Sequence, residues 1–187
     1  MRRPLMLAVV VAAAAAAAFL PPAQGADFKR FFGTFVGRAL EAGPDNSPRE
    51  ERDIDLVVRP EGKVGIALSW TNVTLVNGRR DVPGVKRRAD EVRLVPAPDR
   101  QFFLARAAYD PFAEKRSPDL LAGDPLRWAT VGEGDIKIYS LVILDDGRYE
   151  LQAYTRATTE EGMALEWQRI VDGQRLRHMT GKAVRAD

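Results

Sequence analysis

The fold is decided between residues 135 and 173, which read DIKIYSLVIL (135–144), DDGR (145–148), YELQAYTRAT (149–158), TEEG (159–162) and MALEWQRIVDG (163–173). Three runs rich in β-formers are separated by two short turns, each carrying Gly after acidic residues. Alternation bounded by turn residues predicts an antiparallel meander. A meander is part of a sheet or barrel and does not by itself specify an activity.

The same grammar extends outward in both directions. After the turn at Asp172-Gly173, a last strand is predicted from about Gln174 to Arg185. Before the meander, Leu126 to Val131 is a short strand that turns at Gly132-Glu133-Gly134. Phe102 to Ala108 and Glu91 to Val95 are further strands. Val64, Ile66, Leu68 and Trp70 share one face, with small or polar residues between them, as in a half-buried strand. Asn77-Gly78 then signals a type I′ hairpin, which needs positive φ at both central positions. Ile54, Leu56 and Val58 alternate with Asp53 and Asp55, whose carboxylates are expected to be solvated. Gly33 to Leu40 is a first strand, and residues 42–51 read as a loop. Asp110-Pro111 and Ser117-Pro118 each place a capping residue before proline, so short helical turns are expected within residues 110–124.

About eight to ten strands and no long amphipathic helix predict an all-β protein. Neighbour-to-neighbour hairpins favour an up-and-down antiparallel β-barrel, which leaves no sheet edge exposed. At the N-terminus, Arg2 and Arg3 precede a 16-residue apolar run, Leu5 to Leu20, and a small-residue exit at Ala23-Gln24-Gly25. This is the pattern of a secretory leader cut after Gly25. The run is shorter than the roughly 20 residues a spanning helix needs. Cleavage leaves residues 26–187 as a single barrel domain with no transmembrane segment. Of 28 Lys and Arg, loss of Arg2 and Arg3 leaves 26 against 26 Asp and Glu. That neutral balance gives no electrostatic case for nucleic acid. The expected location is the bacterial periplasm or the secreted fraction. With no cysteine, the fold must stand on its core.

Gly33-Thr34-Phe35 sits where lipocalins carry Gly-x-Trp at the start of their first strand. With export and an up-and-down barrel of this size, the chain resembles the calycin superfamily, the lipocalin and avidin type. Phe replaces Trp, and the long C-terminal helix of lipocalins is missing. The resemblance implies that an arginine near the last strand, Arg177 or Arg185, packs on Phe35. It also implies a small apolar or amphipathic ligand in the barrel.

Several chemistries lack their residues. No cysteine and one histidine make a transition-metal site unsupported. There is no Gly-x-Ser-x-Gly elbow, and Gly132-Glu133-Gly134 is not a phosphate cradle. No cofactor and no catalytic residue is assigned. His178 is expected to be structural. The cations Arg79, Arg80, Lys86, Arg87 and Arg88 are expected to form a solvated loop tip, with an anionic surface as the functional alternative.

A ligand-binding lumen needs apolar walls with a few placed polar groups. The residue types that meet this need are Trp70, Arg106, Trp128, Tyr139, Gln152, Tyr154, Arg156 and Trp167. In the central strand, Tyr149, Leu151, Ala153 and Thr155 share one face and Glu150, Gln152, Tyr154 and Arg156 the other. Which face points inward stays open. The functional expectation is a non-enzymatic carrier of a small apolar or amphipathic molecule. The alternative is a filled barrel that docks an envelope protein or membrane surface. An enzyme on the same barrel is the third reading, and it would need a polar cluster converging inside the lumen.

Overall fold

A computed structural model describes residues 28–42, 48–98, 102–106 and 118–186. The leader expected over residues 1–25 and the Asp110-Pro111 turn signal lie outside the described residues. Ten strands run β1 Gly33–Ala42, β2 Pro48–Glu61, β3 Gly65–Thr74, β4 Lys86–Pro96, β5 Phe103–Ala105, β6 Leu126–Val131, β7 Asp135–Ile143, β8 Tyr149–Thr158, β9 Gly162–Val171 and β10 Gln174–Arg185. Every strand pairs antiparallel with its sequence neighbour, and β1 pairs with β10 to close the barrel. The up-and-down barrel expected from the turns is therefore the fold.

The turns form for the reasons the sequence supplies. Asn77 and Gly78 have φ of 51° and 72°, the positive pair a tight hairpin demands. Asp172 and Gly173, at 45° and 78°, repeat the device between β9 and β10. Strand lengths differ from expectation at three places. β4 begins at Lys86 rather than Glu91, so half of the supposed basic loop is strand. β2 begins at Pro48, inside the predicted loop. β5 is confined to Phe103–Ala105 among the described residues. In the 110–124 insertion one 3₁₀ turn is described, Leu120–Ala122. Asp119 caps it through the amides of Leu121 and Ala122, at 3.0 and 3.3 Å. Among the described residues no helix is long and apolar enough to cross a membrane.

Alternation sends every second side chain into the lumen. Toward the end where β1 begins, the inward residues are apolar and fully packed. Phe31, Phe35, Leu56, Ile66, Leu68, Leu94, Ile136 and Met163 are all under 2 % exposed. A 3₁₀ turn, Phe28–Phe31, folds across this end, and Phe28 meets Phe103 edge to face at 5.3 Å. Each such aromatic contributes about 2–3 kcal/mol by leaving water. Arg185 settles the choice left open between two arginines: its guanidinium lies 4.8 Å from the centre of the Phe35 ring and donates to the Phe32 carbonyl at 2.7 Å.

The closing seam depends on glycine. A Cβ on Gly37 would collide with the carbonyl of Lys182 and the backbone of Ala183, and one on Gly181 with the carbonyl of Arg38 and with Ala39. Backbone cannot yield as a flexible side chain would. Gly37→Val is expected to cost about 3 kcal/mol, roughly a 10 °C fall in Tm, measurable by thermal denaturation. An unchanged Tm would mean that the seam tolerates a wider spacing.

Candidate functional site

Past the apolar plug the lumen changes character. The inward residues of β8 are Glu150, Gln152, Tyr154 and Arg156, so its polar face is the inner one. Tyr149, Leu151, Ala153 and Thr155 face out. The register fixes this, because Tyr154 opposes Trp167 and Ile138, and Arg156 opposes Leu165 and Ile136. Around them lies a cavity of about 520 Å³, open at the end opposite the phenylalanine plug.

One wall is a single hydrogen-bonded chain. Arg169 donates twice to Glu150 Oε2, at 2.9 and 2.7 Å. The Gln152 amide donates to Glu150 Oε1 at 2.7 Å. The Gln152 carbonyl in turn accepts from the Tyr154 hydroxyl at 2.7 Å and the Trp167 indole at 3.2 Å. Each of these groups thus holds the next in place. Trp70 lies 5.5 Å from Tyr154, and Tyr154 lies 6.4 Å from Trp167, measured between ring centres. Arg177 covers the Trp167 ring at 5.4 Å.

The other charges are clamped in the same manner. Arg127 grips Asp90 with both terminal nitrogens, at 3.0 and 3.1 Å. Glu41, with no exposed surface, is held by Arg177 and flanked by Arg52, which also pairs with Glu50. Burial pushes the Glu150 carboxyl up, but the Arg169 fork and the Gln152 amide outweigh it and hold the group below the ordinary glutamate value. Burial raises the Tyr154 phenol, and the Asp90 carboxylate adds to the effect. Arg156 is 5 % exposed and lies deep in the lumen. Burial lowers its pKa to about 10.

Five of the eight residues expected at a ligand site line this cavity together: Trp70, Gln152, Tyr154, Arg156 and Trp167. Three do not. Trp128 and Tyr139 are cross-strand partners on the outer face, stacked at 5.2 Å and 18°. Arg106 follows the end of β5 and is exposed. Their placement is corrected by parity: Ala129 and Ile138, their chain neighbours, are the buried inward residues.

The basic segment also divides. Arg79 pairs with Asp81, and Arg80 with Asp53 and Asp55, outside the barrel. Lys86 and Arg88 instead line the cavity mouth, with Asn72 and Thr74 opposite them. Reading the alternation of Leu94 and Val92 back through Asp90 would have placed Lys86 and Arg88 on the inner face. Arg52, Arg127, Arg169 and Arg177 were likewise not anticipated as site residues. His178 meets Glu166 at 2.9 Å, adjacent in the chain to inward-facing Met179 but on the opposite face.

No protein-family model matches this chain, and no curated protein matches its sequence.

The Glu150–Arg169 fork has a pH signature. The folded pKa of Glu150 lies below its ordinary value of 4.5. The stability it contributes is therefore complete above that value and lost as pH falls through the folded pKa. Glu150→Gln should be about 2 kcal/mol less stable than wild type at pH 7, because Arg169 loses its charged acceptor. The gap should narrow steadily as pH falls from 4.5 through the folded pKa. Melting curves that stay parallel across that range would remove Glu150 from the acid response.

Proposed function

We propose that this chain is an exported, non-enzymatic barrel that binds a small amphipathic molecule in the open half of its lumen. The observation that carries the reading is the division of the lumen. One half is filled by phenylalanine and aliphatic side chains, and the other holds a cavity of about 520 Å³ with aromatic and charged walls. That volume lies within the range of small-molecule sites, and placed polar groups among aromatic rings are what such sites use for orientation. A barrel that only docked a partner through its exterior would have no use for the open half.

The leader pattern at residues 1–25 supports export to the periplasm or beyond. Arg185 over Phe35 supports the calycin resemblance, although ten strands stand where lipocalins have eight. A polar cluster does converge in the lumen, as an enzyme would require. Its carboxylates Glu150 and Asp90, however, are both held in arginine forks. A carboxylate whose lone pairs are already committed to an arginine is a poor general base, and the arrangement favours holding a ligand over transforming it.

Native mass spectrometry of the 26–187 protein purified from its own envelope tests the reading. A retained small molecule is expected, and it should be lost in Tyr154→Ala and in Asn72→Trp, which fills the cavity from the opposite wall. A bare mass, together with no thermal shift from a panel of lipids and aromatic metabolites, would overturn the carrier function.

A further inference from the structure

The geometry points to an aromatic carboxylate as the occupant, with its carboxylate seated on Arg156. This assignment rests on the binding function proposed above and names the ligand class for the same cavity.

Arg156 differs from the other buried charges. Glu41 and Glu150 each have an arginine fork. Arg156 has no carboxylate partner among the described residues. One terminal nitrogen donates to the carbonyls of Thr155 and Glu166, at 3.0 and 3.3 Å, and the guanidinium packs 5.6 Å from the centre of the Tyr154 ring. Its backbone lies between Ile136 and Leu165, both buried. Among the described residues, no sealed side-chain nitrogen or oxygen lacks a hydrogen-bond partner. The Arg156 nitrogens that do not serve those carbonyls therefore open on the lumen. Burial lowers the pKa only to about 10, so the group is cationic at neutral pH.

A buried cation without an anion is costly, and an incoming anion offsets that cost. One guanidinium balances one negative charge, which suits a carboxylate better than a dianionic phosphate. The rest of the site selects the body of the ligand. Trp70, Tyr154 and Trp167 line the cavity as a contiguous run of rings, with Tyr154 against Arg156, matching an aromatic frame better than a flexible alkyl chain. Six inward Lys and Arg side chains line the cavity. Two inward carboxylates, Asp90 and Glu150, line it with them, and Glu41 and Glu50 stand behind Arg52 and Arg177. The excess of cations draws anions toward the mouth.

Isothermal titration with 2-naphthoate and its neutral isostere 2-naphthamide tests the assignment. Wild type is expected to bind naphthoate at least tenfold more tightly than naphthamide. Arg156→Met should erase that preference while leaving Tm equal or higher, because a buried charge has been replaced by an apolar side chain of similar length. Arg156→Lys, which keeps the cation, should retain part of the preference and provides a second variant should the first not fold. Equal affinities in wild type, or a preference that survives in Arg156→Met, would overturn the carboxylate assignment while the binding cavity stands. No binding of either compound, with a bare native mass, would overturn both.

Discussion

A closed barrel has one interior, and period-two alternation sends half of each strand's side chains there whatever their polarity. That constraint governs this molecule. Ten strands enclose more volume than the apolar residues fill. The phenylalanines of the N-terminal turn and β1, with the aliphatic residues of β2 to β4, close one end. The charged residues that alternation forces into the other end must satisfy one another or leave space for something else.

They do so by pairing almost completely. Glu41, Glu150 and Asp90 each meet an arginine in a two-point grip, the geometry that best repays desolvation of a carboxylate. Gln152 then ties the Glu150 grip to the hydroxyl of Tyr154 and the indole of Trp167. The wall of the cavity is thus rigid for the same reason that it is polar. Rigid placement of aromatic edges and charges is what a selective site requires, since little ordering remains to be done when a ligand arrives.

The strands and the turns were legible in the sequence because each rests on a local signal: alternation, or Gly at a position of positive φ. The meander at residues 135–171 and the Asn77-Gly78 turn stand where they were read. The inner face of β8 was not legible, since alternation puts Glu150 and Arg156 on one face without showing whether that face turns inward. Their inward direction follows from the barrel register, opposite Val171 and Leu165, and no window of ten residues contains that information. The same holds for Trp128 and Tyr139. Aromatic identity suggested a lumen, whereas their chain neighbours Ala129 and Ile138 occupy it. Lys86 and Arg88 were hidden by a different effect, a charge run that resembled a loop tip although it continues the alternation of Val92 and Leu94.

The seam between β1 and β10 has a consequence for how the chain assembles. Every other strand pair joins sequence neighbours, so most of the sheet consists of hairpins that can zip locally. The seam alone joins Phe35 to Arg185, across nearly the whole described chain. It carries the largest loop-closure entropy of any pairing, and Gly37 and Gly181 must come within backbone contact as it shuts. Until then β1 and β10 are unpaired edges, each able to template a second chain. Seam closure is therefore the step at which folding competes with strand exchange between molecules, and the two glycines act on its rate as well as on the stability of the finished barrel.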